Sequence, residues 1–76
     1  MEETFGRWLA SKRQALGYTQ ARLAELVDVG QTAVSHWERD EWRPTFANVS
    51  RLGRALGVDP GEIAMRLVAA VAGDAA

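Results

Sequence analysis

The sequence predicts an all-α domain of five helices. Over its 76 residues, apolar side chains recur every three or four positions, which is the spacing of an amphipathic helix. No segment of useful length alternates apolar and polar residues as a half-buried strand would. Glycine, threonine and proline residues separate the apolar segments at positions where helices commonly begin or end.

Two short helices are predicted in the N-terminal third of the chain. The first spans about residues 3–16, and Gly17 follows it as a glycine often follows a helix C-terminus. Thr19 is a suitable N-cap for the second, because its hydroxyl can accept a hydrogen bond from a free N–H of the first turn. Ala24 is small enough to let another helix cross closely. The apolar residues expected to pack inward are Phe5, Trp8, Leu9, Leu16, Leu23, Leu26 and Val27.

Three further helices follow. A three-residue turn at 28–30 precedes a third helix over about residues 31–39, and Thr45 and Gly57 bound a fourth. The fifth has the clearest start, since residues 59–62 combine an aspartate cap, a proline at the first helical position and a glutamate three residues after the cap. The residues expected to face inward are Val34, Trp37, Phe46, Val49, Leu52, Ala55, Leu56, Ile63 and Leu67.

Composition excludes several classes of protein. The sequence has no cysteine, so neither a disulfide framework nor a thiolate metal site can stabilise it. The N-terminal residues are acidic before they are apolar, unlike a secretory signal, and no apolar run approaches the ~20 residues of a membrane helix. With 47% hydrophobic residues the chain is expected to fold. We expect one cytoplasmic domain over residues 1–72 and a frayed tail over residues 73–76.

The net charge gives no direct indication of a partner. Its formal value is −1, whereas nucleic-acid-binding domains often have a basic excess. The position of the charges matters more than their sum, because only charges within about 8–10 Å of a phosphate act strongly on it. The charge balance therefore does not exclude DNA as a partner.

The third helix has a polar outer face opposite Val34 and Trp37. At ~3.6 residues per turn, five residues without a large hydrophobe share this face, namely Gln31, Thr32, Ser35, His36 and Arg39. Their amide, hydroxyl and imidazole groups can exchange hydrogen bonds with base edges in the major groove of DNA. Gln31 suits adenine, the Thr32 methyl suits thymine, and His36 suits guanine N7 or a phosphate. The other interpretation is a solvated polar face without a ligand.

An ordered set of landmarks extends this pattern over residues 5–67. The set comprises Arg13, Gly17, Thr19-Gln20, Leu23-Ala24, Val34, Trp37-Glu38-Arg39, Pro44, Leu52, Ala55-Leu56-Gly57-Val58 and Ile63. In these residues the sequence resembles the lambda-repressor/Cro-like helix-turn-helix family, the XRE-type regulators. The resemblance implies a compact five-helix lambda-repressor-like DNA-binding domain, with the helix-turn-helix formed by helices two and three.

The resemblance also implies roles for the matching residues. Positions that usually contact base edges are Gln31, Thr32 and His36, with Ser35 between base and backbone contact. Positions that match contacts to the DNA backbone are Gln20, Arg39, Arg43 and Thr45. Thr45 would act together with the N–H groups at the start of the fourth helix, since a helix N-terminus attracts anions.

Arg13 and Glu38 match a partly buried pair that joins the first helix to the end of the third. We expect a structural clamp, and the alternative is an exposed pair that contributes little. If the pair is buried, removing one partner would cost about 3–5 kcal/mol of stability.

Five residues depart from the family pattern. Asp28 lies in the turn where glycine is common, although aspartate tolerates a left-handed backbone better than most residues. Arg22 replaces a common glutamate, opposes the helix dipole, and either contacts the DNA backbone or is solvated. Asp40 and Glu41 replace a glycine and a basic residue, and Glu41 would repel a nearby phosphate. Trp42 is expected to pack on the domain, to lie against the sugar-phosphate backbone or to join a dimer contact.

A homodimer is expected, because one recognition helix buries too little surface for the affinity typical of a repressor. Two copies would bind half-sites about one helical turn apart. The expected dimer surface comprises Val58, Met65, Val68, Val71 and Trp42. The alternative is that these residues complete the core of the monomer.

The expected function is sequence-specific binding of double-stranded DNA by a phage or bacterial transcriptional regulator. A Cro-like repressor or autoregulator of a pseudo-palindromic operator fits best, and a protein-interaction module such as an antitoxin or adaptor is the alternative. An enzyme is not indicated, because the only histidine, His36, has Glu38 nearby in sequence but pointing elsewhere on the helix. No metal, cofactor, small-molecule substrate or membrane partner is indicated.

Overall fold

The computed structural model contains the five helices that the sequence predicts. The structure describes residues 3–75, with side chains described as far as residue 69, and no strand occurs within that range. The helices are α1 (Phe5–Ala15), α2 (Gln20–Val27), α3 (Gln31–Glu38), α4 (Phe46–Leu56) and α5 (Pro60–Ala75). The all-α architecture is therefore confirmed. The backbone of α5 is helical as far as Ala75, and the frayed tail expected over residues 73–76 stays a prediction. The side chain of Val71 lies outside the described side chains.

All five helices contribute to one apolar core. Val34 and Trp37 form the inner face of α3, as expected, and Ala24 of α2, which packs against α3 and α4, is buried. Arg66 of α5 lies 4.6 Å above the Trp8 ring, a cation–π contact that ties α5 to α1. The buried apolar residues are Phe5, Trp8, Leu9, Leu23, Ala24, Val27, Val34, Trp37, Val49, Leu52, Leu56 and Ile63.

Threonine side chains cap three helices in the same way. Each hydroxyl accepts a hydrogen bond from the N–H three residues later, which satisfies a donor that the helix itself leaves free. Thr19 and Thr45 accept at 3.0 and 3.3 Å, as expected for α2 and α4. Thr4 does the same for α1 at 3.2 Å, so α1 begins at Phe5 and not at residue 3.

Two aspartates end helices in the left-handed conformation. Asp28 follows α2 with φ 62°, and Asp40 follows α3 with φ 60°, whereas glycines occupy the equivalent places after α1 and α4. After α3, the N–H groups of Asp40 and Glu41 bond the last carbonyls of the helix at 3.1 and 2.9 Å. Aspartate can take the place of glycine at these turns because its short polar side chain tolerates a positive φ.

Three apolar residues expected to be inward are exposed. Leu16 lies just past the end of α1 and is 46% exposed, and Leu26 lies on the edge of the α2 apolar face and is 39% exposed. Phe46 is 91% exposed because it occupies the first turn of α4, ahead of the positions where that helix enters the core. Helical periodicity places these residues near the apolar face, but it does not show how far a neighbouring helix extends over them.

Helix α1 crosses the end of α3 at very short range. A Cβ atom on Gly6 would overlap the Glu38 carbonyl oxygen and would lie 2.7 Å from the Trp37 carbonyl oxygen. Only glycine allows the two backbones to approach this closely. This contact holds the C-terminal end of α3 firmly against α1, and the sequence pattern does not indicate it.

Candidate nucleic-acid interface

A tight turn joins α2 to α3 and sets their relative orientation. The Val29 N–H bonds the Ala24 carbonyl at 3.0 Å, which closes α2 through the left-handed Asp28. Gly30 then begins α3 in extended geometry and provides no side-chain cap. Gly30 therefore leaves the first N–H groups of α3 without a side-chain acceptor, although the Ala33 N–H donates to the Gly30 carbonyl at 3.1 Å.

The outer face of α3 is polar and accessible. Gln31, Thr32 and Arg39 are exposed, and Ser35 and His36 are half-buried. Directly opposite, Val34 is fully buried and Trp37 is 3% exposed. The helix is thus supported from behind by the core, and the structure gathers the expected base-contacting residues on one continuous surface.

His36 is held by two residues of the loop that follows α3. Its Nδ1 lies 2.6 Å from Glu41 Oε1, and its ring stacks on Trp42 with centroids 3.8 Å apart and planes inclined by 19°. Trp42 therefore packs on the domain, against the C-terminal half of α3. The sequence shows only that an aromatic residue, Trp42, follows the helix that contains His36, and this pattern does not predict the stack.

The charge of Glu41 is balanced within the same cluster. Arg39 Nη2 lies 3.2 Å from Glu41 Oε1, the same oxygen that faces His36. Both members of the Arg39–Glu41 pair are about half exposed, so the pair contributes little to stability. Its consequence is local, because a carboxylate that pairs with Arg39 presents less net negative charge to an approaching phosphate.

Arg13 and Glu38 form a two-pronged ion pair between α1 and the end of α3. Arg13 Nε lies 2.6 Å and Nη2 lies 3.1 Å from the two Glu38 oxygens, and Nη1 donates to the Tyr18 carbonyl at 2.8 Å. The side chains are only 12% and 7% exposed. The hydrogen bonds to Glu38 raise the pKa of Arg13 above its ordinary value, against the opposing effect of burial.

Gln20 joins this cluster from the first turn of α2. Its Nε2 donates to Glu38 Oε1 at 2.9 Å, so the amide has one partner inside the protein. An amide offers two N–H donors and a carbonyl acceptor, and this bond leaves the other groups for a second partner. Gln20 is half-buried beside the pair of Arg13 and Glu38.

The other residues expected to contact the DNA backbone occupy separate positions. Arg22 is exposed in the first turn of α2, and Thr45 caps α4 through its hydroxyl. Arg43 extends toward α5, where its Nη1 donates to the Leu67 carbonyl at 3.3 Å. Arg22, Arg39 and Arg43 therefore belong to three different segments, namely α2, the end of α3 and the loop before α4.

An open apolar groove lies between the start of α4 and α5. Its volume is about 470 Å³, and it is lined by Arg43, Pro44, Phe46, Val49, Ala64, Leu67 and Val68. Of the expected dimer residues, Val68 and Met65 are 60% and 66% exposed, whereas Val58 is half-buried against the core. Trp42 lies against His36 and not among the lining residues. Phe46, which the sequence analysis predicts to face inward, is the most exposed large hydrophobic residue of this surface.

Neither a metal-binding cluster nor a membrane-spanning helix occurs in the described part of the chain. Among the described residues, no group of three or more His, Cys, Asp or Glu side chains is arranged to hold a metal ion. Within the same part of the chain, no helix is both long and apolar enough to cross a membrane.

The sequence is similar to known regulators of transcription. A family model described as helix-turn-helix matches residues 9–63. The chain is 34% identical over 58 residues to repressor protein C2 of Salmonella phage P22, which covers 76% of this chain and 27% of that protein. It is 33% identical over 57 residues to the HTH-type transcriptional regulator DicA of Escherichia coli (strain K12), which covers 75% and 42% respectively. The chain thus spans less than half the length of either relative.

The fold is also shared with a solved repressor. The structure of the P22 c2 repressor in complex with synthetic operator 9T matches with a TM-score of 0.77 and 32% sequence identity. The match covers 82% of this chain and 94% of that chain. The chain therefore belongs to the helix-turn-helix family, as its resemblance to the lambda-repressor/Cro-like (XRE-type) regulators predicts.

Proposed function

We propose that this protein binds double-stranded DNA sequence-specifically, with α3 in the major groove. The observation that supports this most strongly is the accessible polar face of α3, backed by the buried Val34 and Trp37. A helix already held in place by a core can present amide and hydroxyl groups to base edges without the cost of ordering its backbone on binding. Gln31 and Thr32, both exposed in the first turn, meet bases first.

Backbone contacts fix the position of α3 in the groove. Arg22, Arg39 and Arg43 supply cationic groups, and Gln20 and the start of α4 at Thr45 supply N–H donors. Contacts to phosphate position a protein on DNA, whereas contacts to bases specify the sequence. Because these cations are few and Arg39 also pairs with Glu41, we expect a shallow salt dependence.

The protein acts as a homodimer on a pseudo-palindromic operator in the cytoplasm of a bacterial or phage-infected cell. The open groove beside Phe46 and the exposed Met65 and Val68 provide an apolar surface for the second copy. The relative named repressor protein C2 and the solved repressor–operator complex support a repressor or autoregulator.

Selection of bound duplexes from a random pool tests this proposal. We expect a recovered sequence with two related half-sites about one helical turn apart. Gln31→Ala should lower affinity by about 1–3 kcal/mol at a single base pair. Gln14→Ala is the matched control, because Gln14 is an exposed glutamine on α1. If Gln31→Ala weakens every sequence equally, Gln31 does not specify a base.

A protein-interaction module is the second candidate function. The apolar groove and the 91% exposure of Phe46 favour it, since an exposed apolar patch commonly marks a contact surface. A sequence-specific, salt-dependent mobility shift of a duplex distinguishes the two functions. Absence of any sequence preference under conditions where the protein is folded would favour the protein partner.

A further inference from the structure

His36 has a defined orientation before any ligand arrives. Glu41 Oε1 lies 2.6 Å from its Nδ1, and the Trp42 ring stacks on its face at 3.8 Å between centroids. Two side-chain torsions place an imidazole ring, and a hydrogen bond together with a stack constrains both. The ring is also only 25% exposed, which limits alternative rotamers further.

We propose that Glu41 and Trp42 are positioning residues that determine which atom of His36 meets a base, and so set the base preference at one position of the bound DNA. This inference rests on the proposed DNA binding. The two residues act through His36, which is the group in contact with the base. Their sequence positions lie outside the recognition helix, so the specificity of α3 depends in part on the loop behind it.

The hydrogen bond to Glu41 determines the chemistry of the free edge of the ring. A carboxylate only accepts, so in the neutral imidazole Nδ1 is the protonated nitrogen and Nε2 is an acceptor. Among the described residues, no hydrogen bond engages Nε2. An acceptor there matches the exocyclic amino group of adenine or cytosine, and it does not match the N7 and O6 acceptors of guanine.

Arg39 holds Glu41 in place for this task. It lies 3.2 Å from the same carboxylate oxygen that faces His36. The charged groups in contact around the imidazole are therefore Glu41 directly and Arg39 through it, while Trp42 covers one face of the ring. This arrangement also explains how an acidic residue can stand beside the recognition helix.

The exposure of Trp42 supports a positioning role over a purely structural one. The residue is 51% exposed, so burial in the core does not account for its place. Its indole ring is nearly parallel to the His36 ring. An aromatic pair of this kind contributes order to both rings, and any flat ring of similar size can replace the indole in the stack.

Base selection by matched variants tests the inference. The selection is run under conditions in which the nitrogen-15 NMR spectrum of the free protein shows a singly protonated His36 ring. His36→Ala first identifies the base pair that His36 contacts, as the one position where the wild-type preference disappears. At that position we expect wild-type protein to prefer adenine or cytosine on the contacted strand by about five-fold, the worth of a single hydrogen bond.

Trp42→Ala and Glu41→Ala should each reduce that preference to less than about two-fold, with the preferences at all other positions kept. Trp42→Phe should retain the base preference, because phenylalanine provides a flat ring for the stack. Leu16→Ala is the control, since Leu16 is similarly exposed, at 46%, on another part of the domain. A uniform loss of affinity for all sequences in Trp42→Ala, without rescue by Trp42→Phe, would overturn the proposal.

A measurement on the free protein separates this inference from the proposed function. His36 is the only histidine in the chain, so one imidazole appears in a nitrogen-15 NMR spectrum. The wild-type ring should be protonated at Nδ1, and Glu41→Ala should abolish that tautomer while Leu16→Ala keeps it. An Nε2-protonated ring in the wild-type protein would overturn the inference even if DNA binding is demonstrated. Failure to select any DNA sequence, with the Nδ1 tautomer present, would refute the DNA-binding function and with it the role in base selection.

Discussion

The Gly6 N–H donates a hydrogen bond to Asp40 Oδ1 at 2.9 Å and so joins the first turn of α1 to the residue after α3. Asp40 meets two requirements at once. It adopts the left-handed conformation that ends α3, and its carboxylate accepts from a donor that α1 cannot satisfy. A glycine would meet only the first requirement, which gives the acidic residue a structural reason at this position.

Substitution of the two left-handed aspartates should separate these effects. Asp40→Ala is expected to lower the free energy of unfolding by about 2 kcal/mol, half from the positive φ and half from the lost hydrogen bond. Asp28→Ala is the matched control, since Asp28 has the same backbone conformation, and it should cost about 1 kcal/mol. Urea denaturation measures both. Equal losses would show that the bond between Gly6 and Asp40 adds nothing to stability.

The close crossing of α1 and α3 gives a second prediction. Gly6→Ala should destabilise the protein by about 2–3 kcal/mol, because the added methyl group overlaps the backbone of Glu38 and Trp37. Gly30→Ala is the control, because apart from its chain neighbours no residue has an atom within 4 Å of its Cβ position, and it should cost less than about 1 kcal/mol. Thermal unfolding followed by circular dichroism compares them, and a neutral Gly6→Ala would contradict the geometry of the crossing.

The clamp between Arg13 and Glu38 should contribute far more to the free energy of unfolding than a surface ion pair does. Arg13→Met is expected to cost about 3 kcal/mol, because it leaves the Glu38 carboxylate nearly buried and without its main partner. Arg39→Ala removes the exposed pair of Arg39 with Glu41, separated by 3.2 Å, and should cost less than about 0.5 kcal/mol. Chemical denaturation of the two variants and wild type provides the test. Similar losses would mean that the clamp is solvated in solution.

The salt dependence of DNA binding reports how many phosphates the cationic side chains neutralise. If four such contacts form per half-site, the slope of log affinity against log salt is about −4, from roughly 0.9 per neutralised phosphate. Arg22→Ala should make the slope shallower by about 0.9. Arg54→Ala, at an exposed arginine of α4 outside the expected contacts, should leave it unchanged. A wild-type slope twice as steep would show that other basic residues bind phosphate.

The apolar groove beside Phe46 leads us to expect a dimer. Wild-type protein should show a concentration-dependent dimer in sedimentation experiments, and Phe46→Ser should weaken the dimer by about ten-fold or more through lost apolar burial. Leu16→Ser is the control, because it removes an exposed hydrophobic residue away from the groove. A protein that stays monomeric when bound to its operator would exclude this role for the groove.

Much of the fold follows from local patterns in the sequence. Thr19 and Thr45 cap helices because their hydroxyls can reach an N–H three residues later, whatever the remainder of the chain does. Val34 and Trp37 face the core because they are three residues apart, on the side of α3 opposite its polar residues. Asp28 can adopt its positive φ for a reason that is also local, since a short polar side chain tolerates the left-handed conformation.

The sequence by itself determined the helices, their caps and the composition of the outer face of α3, since each depends on residues within one or two turns. The tertiary structure alone decided how those elements meet. Only the packed chain shows that Phe46 lies ahead of the core, that α1 touches α3 at Gly6, and that Trp42 and Glu41 hold His36. The physical reason is that periodicity specifies a direction around one helix axis, whereas burial and contact depend on where the other helices end.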